Sequence, residues 1–178
     1  MRYFAYGSNL HAADLSRYCA ANGFAPLALV GRRAYLPDYR PAFHYYSTSR
    51  QGGALDATPS RGGVCPGALF ELLPAQVAVL DAKESAGVNY ERREVMACVD
   101  GELISAFTYC VREEQRRGFV PPSAEYLNIV LGGYASFGFD EQPLLCAAEG
   151  RRPEPVRRIF VYGTLMRGES RHHIVRTH

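Results

Sequence analysis

The chain has 178 residues and a mass of 19.7 kDa, which is room for one ordinary domain and too little for two. Hydrophobic residues make up 47% and charged residues 21%, a balance that supports a core and excludes an intrinsically disordered chain. The net charge of +2 hides a split: residues 1–149 carry 13 basic and 16 acidic side chains, whereas residues 150–178 carry 7 arginines against Glu154 and Glu169.

In chain order, Arg2–Tyr6 is short and aromatic and reads as a strand stopped by Gly7-Ser8-Asn9. Ser8 or Asn9 is then placed to cap a helix over about His11–Cys19, with Leu10, Leu15 and Tyr18 turned inward. The stretch Ala25–Tyr46 reads as two extended segments broken by Pro37 and Pro41. Gly52-Gly53 opens a further strand over Ala54–Thr58, which Pro59-Ser60-Arg61-Gly62-Gly63 turns back into a buried strand over Val64–Leu73.

Pro74 suits the first position of a helix running to about Glu84. Val77, Leu80 and Glu84 follow the i, i+3, i+7 spacing of one helical face, so a carboxylate lies in line with the apolar stripe. Glu91–Val99 and Leu103–Arg112 form a hairpin across Asp100-Gly101. Pro121-Pro122-Ser123 precedes a helix with Leu127, Val130, Leu131 and Tyr134 on one side. This order predicts an α+β fold, a mixed sheet or small mixed β-barrel flanked by helices.

Residues 1–149 form the body, 150–157 read as a linker, and 158–178 repeat the opening motif. Phe160-Val161-Tyr162-Gly163-Thr164-Leu165 echoes Phe4-Ala5-Tyr6-Gly7-Ser8-Asn9 at an offset of 156 residues. The expectation is the incomplete start of a second similar domain, or a C-terminal tail. Such an apolar strand can add to a sheet edge in this chain or a neighbour, giving a homodimer. The basic tail lacks the interleaved aromatics on which single-stranded nucleic acid stacks, so it reads as solvated chain and no nucleic-acid partner is expected. No apolar run approaches the roughly 20 residues of a membrane helix. The N-terminus lacks the layout of a secretory signal, so a cytoplasmic location is expected.

Three features carry chemistry. A strand ending in a glycine turn at Tyr6-Gly7-Ser8-Asn9 can aim backbone N–H groups at one point and cradle an anion, although an ordinary strand-to-helix turn has the same sequence. Glu84 is either a surface glutamate or, on the apolar face at a helix end, a carboxyl suited to moving protons. Tyr90 and Tyr126 can line a pocket and orient a polar ligand; with twelve tyrosines, packing is the competing reading. The five scattered cysteines form no CxxC pair and read as reduced core residues, and His11, His44 and the tail histidines lack metal-ligand partners, so no metal is expected.

Together these motifs resemble the gamma-glutamylcyclotransferase family. The resemblance rests on Tyr3-Phe4-Ala5-Tyr6-Gly7-Ser8-Asn9-Leu10, the Gly52-Gly53 segment, Leu80-Asp81-Ala82-Lys83-Glu84, and Pro121-Pro122-Ser123-Ala124-Glu125-Tyr126, in that order over about residues 2–140. It implies a small mixed β-barrel flanked by helices and an enzyme that releases 5-oxoproline from a small γ-glutamyl substrate without a cofactor. Glu84 would be the acid/base, and Tyr6, Gly7, Ser8, Asn9, Tyr90 and Tyr126 would bind the γ-glutamyl group. The family usually has glycine directly after the glutamate; Ser85 stands there instead, with Gly87 two places on. Release of a γ-glutamyl protecting group from a biosynthetic intermediate, action on a γ-glutamylamine, and a non-catalytic binding module on the same fold are the alternatives.

Overall fold

The computed structural model describes residues 1–152. The proposed second copy at 158–178, most of the 150–157 linker and the tail histidines lie outside the described residues.

Five strands close a barrel: β1 (Arg2–Ala5), β2 (Gly31–Ser47), β3 (Gly52–Glu71), β4 (Tyr90–Val99) and β5 (Glu102–Val111), in the order β1-β3-β2-β4-β5. The pairs β1–β3, β2–β3, β2–β4 and β4–β5 are antiparallel, and β1 meets β5 in parallel at Tyr3 and Phe107. Closure pairs the edges that an open sheet would expose. Four helices pack around it: α1 (Ala12–Ala21), α2 (Pro74–Glu84), α3 (Ala124–Phe137) and α4 (Gln142–Ala148). The architecture is the α+β barrel that the order of elements predicts. Among the described residues, no helix is long and apolar enough to cross a membrane.

The β2–β3 ribbon differs from expectation. The two segments predicted in 25–46 are one strand beginning at Gly31, and β3 runs through Pro59–Gly63 without reversing. A bulge explains the misread turn. The register jumps between Pro37 and Tyr39, where Asp38 (φ +59°) faces Gly62 (φ +72°) and accepts a 2.7 Å hydrogen bond from the Gly62 N–H. Proline and glycine thus mark an irregularity within a ladder. The hairpin at Asp100-Gly101 forms as predicted, both residues having positive φ.

At the N-terminus, Ser8–Leu10 is a turn of 3-10 helix. His11, not Ser8 or Asn9, caps α1, its Nδ1 accepting from the Asp14 N–H. The core gathers Phe4, Leu15, Leu36, Leu80, Tyr109, Tyr134 and Leu144, all nearly inaccessible. Leu144 brings in α4, a short helix with no counterpart in the sequence reading; the Asp140 carboxylate accepts from Gln142 N at its start. Cys19, Cys65 and Cys110 are buried as expected, while Cys98 and Cys146 are half-buried; all five are free thiols.

Candidate active site

The ends of two elements meet at one point. β1 delivers Tyr6 and Gly7 to the 3-10 turn, in which Ser8 and Asn9 are buried. From across the barrel, α2 ends at Glu84. That helix starts cleanly because Pro74 needs no helical N–H partner and the Gln76 side chain accepts from Leu73 N at 2.8 Å. Val77 and Leu80 are buried beneath it, and their stripe carries the Glu84 carboxylate inward, leaving that side chain 16% exposed.

The Asn9 amide nitrogen donates to Glu84 Oε1 at 2.8 Å and to the Tyr3 hydroxyl at 2.8 Å. Around them lies a small inner cavity of about 30 Å³. The seven sequence-selected residues, Tyr6, Gly7, Ser8, Asn9, Glu84, Tyr90 and Tyr126, all line it, joined by Tyr3, Leu55 and Tyr109. Tyr126 accepts from Leu55 N at 3.3 Å, and Tyr90 donates to Leu55 O at 3.4 Å. The Tyr6 hydroxyl is turned to the Tyr109 carbonyl, 2.5 Å away, so its proton is spent within the protein. Burial drives the phenols towards their neutral form, helped by the nearby Glu84 charge; Tyr126 is pushed up to about 12, with Leu55 N and Arg50 partly offsetting the rise, and Tyr3 and Tyr90 lie well above the ordinary tyrosine value. They are therefore protonated hydroxyls at neutral pH.

The Gly-Gly and Pro-Pro-Ser motifs touch each other. A Cβ on Gly52 would sit 2.6 Å from Ser123 N, and one on Gly53 would sit 2.0 Å from Val120 O. Two glycines let the start of β3 lie directly against this segment, where Gly53 N donates to Pro121 O at 2.8 Å. Ser123 caps α3, accepting from Tyr126 N, and its hydroxyl donates to Arg50 O at 2.8 Å. The clamp fixes the β2–β3 hairpin tip and orients Tyr126 together.

Several residues at the site escaped the sequence reading. Lys83, the only lysine in the chain, has a side chain just 7% exposed. Its Nζ donates to Ser8 Oγ at 3.1 Å and lies 3.8 Å from Glu84 Oε1. Burial lowers its pKa, and the adjacent Glu84 charge opposes that drop. Arg50 grips buried Asp14 through both carboxylate oxygens, at 3.0 and 2.6 Å, and reaches Ser8 Oγ at 3.5 Å. Burial alone would raise the Asp14 carboxyl, but the Arg50 hydrogen bonds and the charges of Arg50, Lys83 and Arg17 outweigh it and hold Asp14 below the usual carboxylate value. Asp81, three residues before Glu84, accepts from Tyr109 at 2.7 Å and pairs with Arg92, bracing α2 against the barrel. The signal for Lys83 was its singularity in an arginine-rich chain; Arg50 and Asp14, 36 residues apart, carried none.

The inner cavity adjoins an outer one of about 580 Å³, the two sharing Ser8, Glu84, Tyr90 and Tyr126 in their walls. Among the described residues, no group of three or more His, Cys, Asp or Glu is placed to hold a metal ion. The arrangement presents one carboxylate, a set of neutral hydroxyl donors and a cationic wall around a single bend of backbone.

The family model "Gamma-glutamyl cyclotransferase, AIG2-like" matches residues 3–128. No curated protein matches the chain in sequence. Among solved structures, the chain is similar to a gamma-glutamyl cyclotransferase at 21% identity and TM-score 0.66, with 99% of this chain and 98% of that chain covered. It is similar to uncharacterized protein loc79017 from Homo sapiens at 23% identity and TM-score 0.65, covering 98% and 96%. Similarity to YkqA from Bacillus subtilis is 20% with TM-score 0.69; 86% of this chain spans 56% of that protein. At these identities the structures show a shared fold.

Proposed function

The chain belongs to the gamma-glutamyl cyclotransferase, AIG2-like family and is an enzyme of that type, and from that premise we propose how its site performs the reaction. A γ-glutamyl amide binds with its α-amine folded back on its γ-carbonyl. The amine attacks, a five-membered lactam closes, and 5-oxoproline and a free amine leave. Nucleophile and electrophile share one molecule, so holding the folded conformer captures part of an advantage worth up to about 7–11 kcal/mol.

Glu84 is the general acid/base. It takes one proton from the substrate ammonium, which frees the attacking lone pair, and returns it to the departing nitrogen as the tetrahedral intermediate collapses; the ring nitrogen sheds its second proton to become the neutral lactam N–H, and the released amine takes up one from water to leave as an ammonium. Backbone N–H groups at the Gly7–Asn9 bend receive the α-carboxylate, since the first N–H groups of a helical turn have no partner within it. The Tyr126 hydroxyl, kept protonated by burial and accepting from Leu55 N, stands ready as a donor to the developing oxyanion, while the Tyr90 hydroxyl, which donates to Leu55 O, orients the polar headgroup as an acceptor.

One observation carries the reading: Glu84 Oε1, 2.8 Å from Asn9, faces the Gly7–Asn9 bend within one largely buried cavity. The test is a panel of γ-glutamyl amino acids and γ-glutamylamines incubated with the protein, with 5-oxoproline measured directly. Release from at least one compound is expected; release of free glutamate in its place would mean hydrolysis by water and overturn the cyclisation.

A further inference from the structure

We propose that Lys83 is a positioning residue for the transition state: its charge, balanced by Glu84 in the resting site, acts through the Ser8 hydroxyl once Glu84 has taken a proton, and strengthens the donors that face the oxyanion. The proposal rests on the cyclotransferase reading and adds a residue to which that reading gives no part.

Lys83 lies in the last turn of α2, where a cation suits the negative end of the helix dipole. An ammonium has three hydrogens and no lone pair, so it can only donate. Around Nζ stand Ser8 Oγ at 3.1 Å, Glu84 Oε1 at 3.8 Å and the Tyr18 ring, whose centre is 5.8 Å away. Arg50 reaches the same Ser8 oxygen at 3.5 Å. A guanidinium also only donates, so two cations take up both lone pairs of Ser8 Oγ, and its one hydrogen must turn away from them. Lys83 and Arg50 line only the outer cavity, whereas Ser8 lines both and shares the inner wall with Tyr126. A hydrogen bond from Ser8 favours the ionised form of that phenol. The order of donors thus runs from Lys83 to Ser8 to Tyr126 to the substrate, and inside a low-dielectric site each hydroxyl in such a chain is polarised by the donor behind it.

The timing follows from the charges. Asp14 pairs with Arg50 through both carboxylate oxygens, so the Arg50 charge is balanced throughout. Among the charges that act on Lys83, that of Glu84 is the largest, and those of Arg50 and Asp14 oppose each other. Lys83 is therefore balanced only while Glu84 is ionised. When Glu84 takes the proton from the substrate ammonium it becomes neutral; Lys83 keeps its three hydrogens and loses its counter-charge. The γ-carbonyl oxygen turns negative in the attack that follows. A positive charge is thus uncovered as the oxyanion forms, and is covered again when Glu84 gives its proton to the departing nitrogen. An interaction that grows between ground state and transition state raises kcat and leaves KM nearly untouched.

The experiment measures kcat and KM for Lys83→Met, Ser8→Ala and the double variant on the γ-glutamyl compound that the panel shows to be turned over fastest. Lys83→Met is expected to lose roughly 10- to 100-fold in kcat with KM nearly unchanged, on the scale of a hydrogen bond to a charged group. Ser8→Ala should also fall chiefly in kcat, and the double variant should be no slower than the slower single, because both changes act through one hydroxyl. An unchanged kcat in Lys83→Met, a loss confined to KM, or losses that multiply in the double variant overturns the proposal and leaves the cyclotransferase reading standing. Lys83 is the only lysine, so isotopic labelling of lysine gives a single side-chain ammonium signal by NMR, which reports the contact without turnover. Ser8→Ala should shift that signal and speed its exchange with water; a signal that does not respond refutes the contact. Where Lys83→Met fails to fold, this signal and the Ser8→Ala kinetics decide. Absence of 5-oxoproline from wild type across the whole panel removes the cyclotransferase reading, and this proposal with it.

Discussion

Asn9 Nδ2 sits 2.8 Å from Glu84 Oε1, a hydrogen bond between residues 75 positions apart that ties the end of β1 to the end of α2. The same nitrogen reaches the Tyr3 hydroxyl, while Asn9 Oδ1 is buried with no partner among the described residues. The amide therefore serves as a donor that orients the carboxylate. Asn9→Ala should lower kcat by about tenfold, on the scale of one hydrogen bond to a charged group, with a smaller change in KM. Steady-state kinetics on the best γ-glutamyl substrate check this; a loss confined to KM would make Asn9 a binding group only.

Glu84→Gln keeps the shape of the side chain and an oxygen for Asn9 while removing the ability to take a proton. The expected result is a loss of turnover of roughly 100- to 10,000-fold with the unfolding midpoint little changed. A thermal melt beside the 5-oxoproline assay separates chemistry from folding, and near-normal turnover in the variant would take Glu84 out of its proposed role.

Two glycine substitutions should behave oppositely. Alanine at Gly53 would put a Cβ 2.0 Å from the Val120 carbonyl, a backbone clash expected to cost about 2–3 kcal/mol. Alanine at Gly7 meets only ordinary contacts, 3.8 Å from the Tyr126 hydroxyl and 4.0 Å from Leu55 Cβ, both of which line the inner cavity. Gly7→Ala should fold normally and lose activity, because the methyl takes space meant for the headgroup. Urea unfolding paired with kinetics distinguishes a stability defect from a filled site.

Glu84 was legible because its position is a local matter: apolar spacing along one helix dictates which way residue 84 faces. The Asp100-Gly101 hairpin was legible for the same reason, both residues tolerating positive φ. The β2–β3 ribbon was not, because Asp38 and Gly62 make a bulge across the ladder and a bulge has the composition of a turn. Nor was the Asp14–Arg50–Ser8–Lys83–Glu84 chain of contacts, which draws on α1, the β2–β3 hairpin tip, the first turn and α2. Ser8 and Glu84 stand out singly in the sequence, but Asp14 and Arg50 are unremarkable polar residues, and only closure of the barrel sets the charges side by side.

That chain makes stability depend on acid. Asp14 is held below the usual carboxylate value in the folded protein, so above that usual value it contributes stability in full. The contribution is lost as pH falls through the depressed folded value. Asp14→Asn, which lacks the charge, should be less stable than wild type at about pH 7 and close the gap towards about pH 2. Urea titrations of both proteins across that range provide the measurement. A gap that stays constant would mean that Asp14 acts by packing and hydrogen bonding alone.

Ser85 ends α2 in the left-handed conformation, φ +48° and ψ +54°, immediately after Glu84. That conformation crowds any Cβ and costs a non-glycine residue roughly 1–2 kcal/mol. Glycine is the favoured residue at such a helix end, and the resemblance at this site is to sequences that place glycine there. Here a serine holds that left-handed turn, and the local loop is held by Val88 N and Asn89 N donating to Ser85 O at 2.9 and 3.0 Å. Ser85→Gly removes the strain but adds freedom to the unfolded chain, so the net gain should be about 0.5–1 kcal/mol. Chemical denaturation measures it. A loss of stability would show that the Ser85 side chain contributes more than its strained backbone costs, and the serine would then be a stabilising feature of the helix end that presents Glu84.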